Sequence, residues 1–500
     1  MAATVTPIVD DQVYKLPLKV LVIKEKKQVL FAEAGKDFVD ILFSFLTFPL
    51  GTLSKLMAVE SNLQEPVRLG SISSLDESVT HLEEEHFRTQ NCKEMLLNPR
   101  NSLASYCQKM KLNIDDATEP IKYFICENWE CSRKVSGSLL SINFRNERCT
   151  CGKLLNREIF RENVTLEDGF VKETARFIIC DDLHITPNVF GASVQVFQKL
   201  GITDMQDIEE RTMHISKKEV VNLLKFSLIS ETPMTDFIFK KEQPLDKFSP
   251  QLQFDIAQVP SDEGKQMLVK IQIRKSNGKI VFAEAEEDFA DFIFSFLTFP
   301  LGGVLHMLKG FSSLSCIDKL YKSISDLNAE RYLRSQEVKD KLANPRCAFH
   351  FNVSNQMLPI EADCLPVYYC YSVRNYVKDR WVYSGTLVTS PKAITRGSEM
   401  DAPLNIVDPR SPTGESSSTE GFAKGPSIYM VTDDLVVTPM STVFAISYLN
   451  RLGVPLFDVE ERVITIGLKE CLGILKASLT SASALTNGLK HLMKSIKREN

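Results

Sequence analysis

Apolar residues recur with the period of an α-helix in two segments, one in each half of the chain. In both segments they follow the order i, i+3, i+4, i+7 and i+8, which places them on one face of a helix. They are Phe38, Ile41, Leu42, Phe45 and Leu46 in the first segment, and Phe289, Phe292, Ile293, Phe296 and Leu297 in the second. Such a face could line a ligand pocket or a partner groove, but aromatic stripes with helical spacing usually belong to a core. We therefore expect both faces to be buried.

The ends of the two helices carry their own signals. Asp37 and Asp288 stand just before the first apolar residue and are predicted N-caps, because an aspartate side chain accepts hydrogen bonds from free backbone N–H groups. Pro49 and Pro300 are predicted to end the helices, since proline lacks the N–H donor and clashes with the preceding turn.

An alternating pattern precedes each predicted helix. Residues 269–273 alternate between apolar and polar side chains, as a half-buried strand does. Asn277-Gly278 follows, which is a two-residue turn signal because both residues tolerate positive φ. The apolar run 280–282 leads the return strand, and the first half has equivalent strands around residues 24–27. Each helix is therefore predicted to follow a β-hairpin.

Five blocks of sequence occur twice, in the same order and at a nearly constant offset. The longest, residues 43–51, returns unchanged at 294–302. The other matched blocks are 31–34 with 282–285, 98–100 with 344–346, 181–187 with 433–439, and 200–211 with 452–462. A period this long indicates a duplicated domain rather than a solenoid repeat.

The predicted architecture is α+β, with two tandem copies of one unit that has an N-terminal β-hairpin, amphipathic helices and a helical C-terminal end. Copy one is assigned to residues 1–240, a linker rich in proline and charge to 241–266, and copy two to 267–500. Residues 122–160, here called the cysteine ribbon, are predicted to form a small zinc-ribbon-like insert in copy one. Residues 396–426 of copy two are rich in Ser, Gly, Pro and acidic residues and are predicted to be a disordered insertion.

Composition narrows the expected location and the classes of ligand. Hydrophobic residues make up 44% and charged residues 25% of the chain, which is ordinary for a soluble globular protein. The formal net charge of −5 provides no broad basic surface for nucleic acid. The N-terminus lacks the pattern of a secretory signal, and the most apolar run, residues 38–50, is too short to span a bilayer. We expect a cytoplasmic or nuclear protein without membrane association.

Four cysteines of copy one are the strongest candidates for chemistry. Cys126 and Cys131 form one pair, and Cys149 and Cys151, followed by Gly152, form a second. A small ribbon would bring both pairs together around one Zn²⁺, for which four thiolates are a standard structural ligand set. Gly152 would let the backbone turn beneath the metal. The spacing is irregular for a zinc site, and the alternative is four unrelated reduced thiols.

The second copy lacks this set of ligands. It keeps Cys370 near the position of Cys126, but has Arg396-Gly397 near Cys151 and no second pair. Loss of the ligands together is consistent with loss of a metal site as a unit, although independent drift explains it too. If zinc binds in copy one, protein fills all four positions, and the site is structural with no open position for catalysis.

Other polar motifs have simpler structural explanations. The paired aspartates at 181–182 and 433–434 suggest acid–base or metal chemistry, but neighbouring residues of a strand face opposite sides, and a turn explains them. His81 and His86 are five residues apart and therefore lie on different faces of a helix. The sequence contains neither a Gly-rich phosphate loop nor a nucleophile elbow.

Basic side chains between residues 133 and 161 surround the cysteine ribbon, with Trp129 and Phe144 nearby. Such a rim could contact phosphates or stack on bases. Glu147 and Glu158 dilute its charge, and a solvated rim is the simpler explanation.

Several of the motifs together resemble a known family. They are residues 18–50, the Cys-x-Cys-Gly at 149–152, the Asp-Asp-Leu and Thr-Pro blocks, and the final helix around 475–479. In these motifs the chain resembles the plant family catalogued as domain of unknown function 674, over nearly its whole length. The resemblance implies a plant origin and no activity, because the family offers no catalytic residues to transfer. Copy one departs from copy two at the closing motif, where 232–236 stands near 481–486.

The leading hypothesis is a soluble, non-enzymatic protein that binds protein partners and holds a structural zinc ion in copy one. One alternative is an enzyme whose site lies between the two copies and carries no local motif; a concave pocket with convergent polar groups would favour it. The other is nucleic-acid binding through the cysteine ribbon, which would show steep salt dependence.

Overall fold

Helices and β-sheets are both prominent in the computed structural model, so the predicted α+β class is confirmed. The structure describes residues 14–58, 67–114, 120–132, 138–162, 167–199, 201–202, 206–239, 265–351, 353, 355–377, 380–389, 400–411 and 421–492. The predicted linker, 241–266, lies outside the described residues except for its last two.

Eighteen strands are assigned within the described residues. In chain order they are β1 (Leu16–Ile23), β2 (Gln28–Gly35), β3 (Tyr123–Cys126), β4 (Leu139–Ile142), β5 (Glu147–Arg148), β6 (Leu154–Arg161), β7 (Arg176–Cys180), β8 (Ile185–Pro187), β9 (Ile208–Ile215), β10 (Met267–Arg274), β11 (Ile280–Ala285), β12 (Tyr369–Val377), β13 (Arg380–Val388), β14 (Met400–Pro403), β15 (Asn405–Ile406), β16 (Tyr429–Thr432), β17 (Val437–Pro439) and β18 (Val459–Ile466).

The α-helices are mostly short. In chain order they are α1 (Lys36–Ser44), α2 (Leu50–Ala58), α3 (Gly70–His81), α4 (Gln90–Leu97), α5 (Ala104–Cys107), α6 (Trp129–Ser132), α7 (Phe190–Lys199), α8 (Lys217–Ile229), α9 (Pro233–Phe239), α10 (Glu287–Ser295), α11 (Leu301–Met307), α12 (Ser315–Asp326), α13 (Ala329–Tyr332), α14 (Gln336–Ala343), α15 (Thr442–Arg451), α16 (Leu468–Thr480) and α17 (Ala484–Gly488).

Each half of the chain builds a five-stranded antiparallel sheet with the same connectivity. The strand order is β8-β7-β2-β1-β9 in the first half and β17-β16-β11-β10-β18 in the second. The registers also correspond, because Leu16 pairs with Ile215 in the first sheet and Met267 with Ile466 in the second. The predicted hairpins are present as β1–β2 and β10–β11.

The two phenylalanine-rich helices are α1 and α10, each followed by a 3-10 turn and each packed on its own hairpin. All ten residues of their apolar faces are buried, none more than 3% exposed, so the prediction of two core faces is confirmed. New helices begin at Leu50 and Leu301, directly after the two prolines that were predicted to end the first ones.

The predicted N-caps are wrong by two positions. Helix α1 begins after the N-cap Gly35, and α10 begins after Glu286. Asp37 and Asp288 lie in the first turn instead, where a carboxylate still interacts favourably with the helix dipole. The apolar pattern marked the first core-facing residue, whereas the helix begins with the polar residues before it.

The hairpin turns are also longer than the Asn-Gly signal indicates. Arg274 N–H donates to the Lys279 carbonyl, and Gly278 N–H donates to the Arg274 carbonyl. Within this turn only Gly278 has a left-handed φ, 71°, and the equivalent residue of the first hairpin is Lys27, with a φ of 47°. Each turn therefore needs one left-handed residue, at the same position in both halves.

One helix of each half packs against the other half. Helix α3 crosses α16, and α12 crosses α8. Ser78 Oγ, on α3, accepts a hydrogen bond from Val437 N–H at 2.8 Å, while Ser323 Oγ, on α12, accepts one from Ile185 N–H at 2.9 Å. The halves thus exchange a helix reciprocally and share one hydrophobic core, instead of forming two self-contained lobes.

The nine-residue block that occurs unchanged in both halves lies where the halves meet. Leu50 N–H donates to the Phe299 carbonyl at 2.9 Å, and Leu301 N–H donates to the Phe48 carbonyl at 3.0 Å. This contact is reciprocal, as in a two-fold symmetric dimer.

The glycine that ends each block is required by the same contact. A Cβ at Gly51 would lie 3.0 Å from the Leu297 carbonyl oxygen, and a Cβ at Gly302 would lie 2.9 Å from the Leu46 carbonyl oxygen. Each copy of the block therefore packs on the other copy, so both are subject to the same steric limits.

A third, mixed sheet combines strands of both halves in the order β14-β12-β13-β6-β3-β4-β15, with β5 paired to β6. The parallel pairs β13–β6 and β15–β4 join the halves. Strands β14 and β15 belong to the segment 396–426, which was predicted to be disordered. Within it, residues 396–399 and 412–420 lie outside the described residues.

For the described part of that segment, 400–411 and 421–426, the prediction of disorder is wrong. Arg410 is fully buried, and its guanidinium donates to both carboxylate oxygens of Asp408. Phe422 and Ala423 are also buried in the shared core. Pairing with the cysteine ribbon and contacts with the core supply the burial that the segment's own polar composition cannot.

Candidate metal centre

The first cysteine pair is positioned by the end of a strand and a single helical turn. Cys126 is the last residue of β3, where the register with β6 shifts. The chain then turns into α6, and Cys131 N–H donates to the Asn128 carbonyl at 3.2 Å. This turn directs the chain back, so that the thiol of Cys131 lies on the same side as that of Cys126.

The second pair lies in the tight turn between β5 and β6. Cys149 N–H donates to the Lys153 carbonyl at 2.8 Å, and Gly152 N–H donates to the Cys149 carbonyl at 2.8 Å. Gly152 has a φ of 83°, a conformation that glycine adopts without strain. Gly152 therefore turns the backbone here, and its place beneath a metal stays a prediction.

The four thiols form one compact cluster. The Sγ atoms of Cys126 and Cys151 are 3.5 Å apart, as are those of Cys131 and Cys149. All four sulfur atoms lie within 4.8 Å of one another. Ligand sulfurs of a tetrahedral zinc site lie about 3.8 Å apart, given Zn–S bonds of about 2.3 Å. The cluster therefore has the size and donor set of a four-thiolate metal site.

The thiols of the cluster differ in pKa, because they differ in burial and in hydrogen bonding. Burial raises the pKa of Cys126 well above its usual range and that of Cys131 to about 11, and hydrogen bonding with the other thiols adds to both shifts. Cys151 is exposed, and a backbone hydrogen bond from Lys153 lowers its pKa to about 7. A divalent cation at the centre would reverse this pattern, because metal-bound thiols are deprotonated.

A small apolar core supports the cluster. Phe124, Leu139 and Leu155 from the cysteine ribbon pack with the buried cysteines, and Val407 of the second half completes the group. Cys370 lies elsewhere, in a neighbouring apolar cluster around Tyr123. Within its described residues, the second half therefore contributes packing to the candidate site and no ligand.

A second group of possible ligands, Glu83, Glu85 and His86, is formed by side chains at the surface. Exposed acidic groups of this kind are common without a metal, and His81 is engaged separately, with Nδ1 2.7 Å from the Glu77 carbonyl. The His86 carbonyl accepts hydrogen bonds from Lys424 N–H and from the Tyr429 hydroxyl, both at 2.9 Å. The segment thus ties the two halves together through its backbone.

The paired aspartates are structural, as the turn interpretation predicts. The carboxylate of Asp181 accepts hydrogen bonds from the backbone N–H and the hydroxyl of Thr235, at 2.8 and 2.7 Å. Asp433 accepts the same two bonds from Thr486, at 2.7 and 2.9 Å. Burial raises the pKa of both carboxyl groups to about 6. The closing motifs are therefore equivalent in structure although their sequences differ.

Sequence reasoning missed a second pair of carboxylates that bind backbone N–H groups. Asp40 Oδ1 accepts hydrogen bonds from the N–H groups of Phe170 and Val171, at 2.7 and 2.9 Å. Asp291 Oδ1 does the same for Phe422 and Ala423, at 2.6 and 2.7 Å. The signal in the sequence was a repeated Gly-Phe at 169–170 and 421–422, too short to be recognised alone.

The basic rim of the cysteine ribbon is only partly described. Arg133 and Lys134 lie outside the described residues, while Arg145 and Arg148 are exposed. Lys153 lies 3.9 Å from the carboxylate of Glu127. The described part of the rim therefore carries both signs of charge at the surface.

The sequence matches a known family of proteins. A family model described as "Protein of unknown function (DUF674)" matches residues 12–469. The chain belongs to this family. The matched range includes the cysteine ribbon, the exchanged helices and both five-stranded sheets. No curated protein and no solved structure matches the chain. Within the described ranges, every helix is too short or too polar to cross a membrane.

Proposed function

We propose that this protein is a non-enzymatic binding protein whose cysteine ribbon is held together by one structural Zn²⁺. The observation that carries the proposal is the compact cluster of four thiols. Four thiolate ligands complete the coordination of zinc and leave no position for a substrate or an activated water. In this proposal the ion joins β3, α6 and the turn after β5, and thereby stabilises the sheet shared by both halves.

Metal analysis of freshly purified full-length protein tests the zinc site. We expect about one zinc per chain, as for a single closed site, and loss of the metal in the Cys149→Ser and Cys131→Ser variants. Cys364→Ser is the matched control, because Cys364 is a free thiol outside the cluster and its substitution should leave the zinc content unchanged. Protein that contains no metal, or Cys149→Ser protein that keeps a full equivalent, would contradict the proposal.

Partner binding is supported by apolar side chains on the second half. Val443 on α15 is 79% exposed, and Phe457 in the turn before β18 is 82% exposed. Exposed apolar groups of this size are typical of protein-interaction surfaces when they occur together. We propose that α15 and the turn that follows it contact an apolar surface of a protein partner.

Affinity capture with the full-length chain tests this surface. We expect a partner retained by the wild type to be lost from the Val443→Asp, Phe457→Asp double variant, because charge opposes burial of both sites. Phe311→Asp is the matched control, since Phe311 is 72% exposed and lies outside the proposed surface. Equal capture by all three proteins would show that this surface does not bind the partner. Turnover of a metabolite by the pure protein would contradict the proposal that the protein is not an enzyme.

We also propose that the two halves descend from one duplicated module of a plant protein. The equivalent strand orders, the reciprocal helix exchange and the paired Asp–Thr contacts support the duplication.

A further inference from the structure

A cavity of about 500 Å³ lies between the two halves, apart from the cysteine cluster. The first half supplies α5 and the loop before it, together with the ends of β3, β4 and β6. The second half supplies the turn at 348–351 and the chain around 363–365. The volume is typical of small-molecule sites, which are often formed at the junction of structural units.

Most of the cavity wall is apolar. Aliphatic and aromatic side chains from both halves line it: Ile121, Ile142, Phe144, Phe349, Phe351 and Leu365. A wall of this kind favours a ligand with an apolar body, because binding removes apolar surface from water on both sides.

One buried polar group in the wall is without a partner. The His350 side chain is only 9% exposed, and its Nε2 atom makes no hydrogen bond within the described part of the protein. Its Nδ1 atom lies 4.0 Å from Asp408, whose carboxylate is already held by Arg410. Burial lowers the pKa of His350 to about 4, so the ring is neutral near pH 7.

Two residues of the wall have a left-handed backbone, Asn143 with a φ of 71° and His350 with a φ of 74°. Residues other than glycine in this conformation are held there by their surroundings, and they occur preferentially at binding sites. Both residues therefore help to shape the wall, while Nε2 of His350 itself is closed to solvent.

More of the charged side chains in the wall are basic than acidic. The wall contains two basic side chains, Arg100 and Arg161, and one acid, Asp363. Burial raises the pKa of that carboxyl group. The Arg161 guanidinium lies 6.0 Å from the centre of the Tyr368 ring and forms no ion pair among the described residues. An arginine placed beside an apolar wall suits a carboxylate, which it can bind through two parallel hydrogen bonds.

We propose that this cavity binds a small apolar carboxylic acid, with the carboxylate on Arg161 and the apolar body against the wall. The site is independent of the zinc proposal, because none of its lining residues is a cysteine. It gives the protein a small-molecule ligand in addition to a protein partner.

Calorimetric titration of the full-length protein tests the site with 2-naphthoic acid and decanoic acid as probes. We expect saturable binding of at least one acid with a single site per chain. The matching neutral amide should bind at least tenfold more weakly, because it cannot form the ion pair. Failure of both acids to bind, or equal affinity for acid and amide, would overturn the proposal.

Substitutions test separately whether acid binding depends on the charge of the arginine and on the shape of the cavity. Arg161→Gln should weaken acid binding at least tenfold and bring it near that of the amide, whereas Arg451→Gln, on α15, should leave it unchanged. Ser105→Trp should fill the cavity and abolish binding, with thermal unfolding measured alongside to show that the chain still folds. Acid binding that survives both Arg161→Gln and Ser105→Trp would place the ligand elsewhere.

Discussion

At the scale of single residues, carboxylates at the edge of the core anchor backbone segments that are distant in sequence. Asp291 is half-buried near the start of the second half and accepts hydrogen bonds from the N–H groups of Phe422 and Ala423, which lie outside the named strands and helices. A buried N–H left without an acceptor costs free energy. The carboxylate is therefore an anchor for residues 421–423, which the composition alone would assign to a loop.

Substitution of Asp291 tests this role. Asp291→Ala leaves two buried N–H groups unsatisfied, and we expect the free energy of unfolding to fall by about 3 kcal/mol. Asp291→Asn keeps an oxygen at the same place and should lose about 1 kcal/mol or less. Urea denaturation followed by circular dichroism measures both values. Equal losses in the two variants would mean that the hydrogen bonds are not the cause.

The same residue predicts a pH dependence. Burial raises the pKa of Asp291 from 3.8 to about 7 in the folded state, so the folded protein binds more protons than the unfolded chain between those values. The contribution of this residue to stability is thus present below pH 4 and declines as the pH rises toward 7. The stability of Asp291→Asn relative to the wild type should therefore improve from pH 4 to pH 7. A difference that stays constant over this range would contradict the shift.

At the scale of elements, the exchange of helices depends on a close approach at the start of α3. Gly70 has a φ of 45°, and a Cβ there would lie 2.4 Å from the carbonyl oxygen of Ser478 on α16. Contacts at this distance do not occur without movement of the backbone. The absence of a side chain at Gly70 therefore lets a helix of the first half cross one of the second.

Gly70→Ala tests the importance of this crossing. We expect a loss of about 3 kcal/mol, the sum of about 1 kcal/mol for the left-handed backbone and about 2 kcal/mol for overpacking. Gly453→Ala is the matched control, because Gly453 has a similar φ of 62° and no atom within 4 Å of the added Cβ; it should lose only about 1 kcal/mol. Thermal denaturation of the two variants gives the comparison, and equal losses would show that the crossing is not tight.

At the scale of the whole molecule, the halves are one folding unit. The hydrophobic core contains residues of both halves without interruption, and both exchanged helices are embedded in it. Each half alone would expose the apolar surface on which the helix of the other half packs. Exposure of apolar surface of this kind to water costs free energy.

Cleavage of the chain between the halves tests whether they form one folding unit. A specific protease site placed after residue 250 would allow the chain to be cut once after folding. We expect the two fragments to elute together from a gel-filtration column, at the volume of the uncut chain, and to separate only in denaturant. Elution of two half-sized species in native buffer would show that the halves are independent domains, as the repeat alone suggests.

Local patterns in the sequence determined much of this protein. The helical spacing of the phenylalanines predicted two buried faces, and alternation predicted the hairpins, because burial imposes a period on each kind of element. The four cysteines of the ribbon could be grouped from their spacing, since a short ribbon brings its ends together. Helix starts and turn types were less well predicted, because they depend on backbone positions that tolerate several residue types.

Only the tertiary structure decided which surfaces meet. An apolar stripe records that a helix is buried, but it is the same whether the covering surface belongs to its own half or to the other. The exchange of α3 and α12, the anchor at Asp291 and the cavity around His350 all join residues that are far apart in the sequence. Contacts over such separations leave no period in the chain, and so the sequence specifies them only through the packing of the complete core.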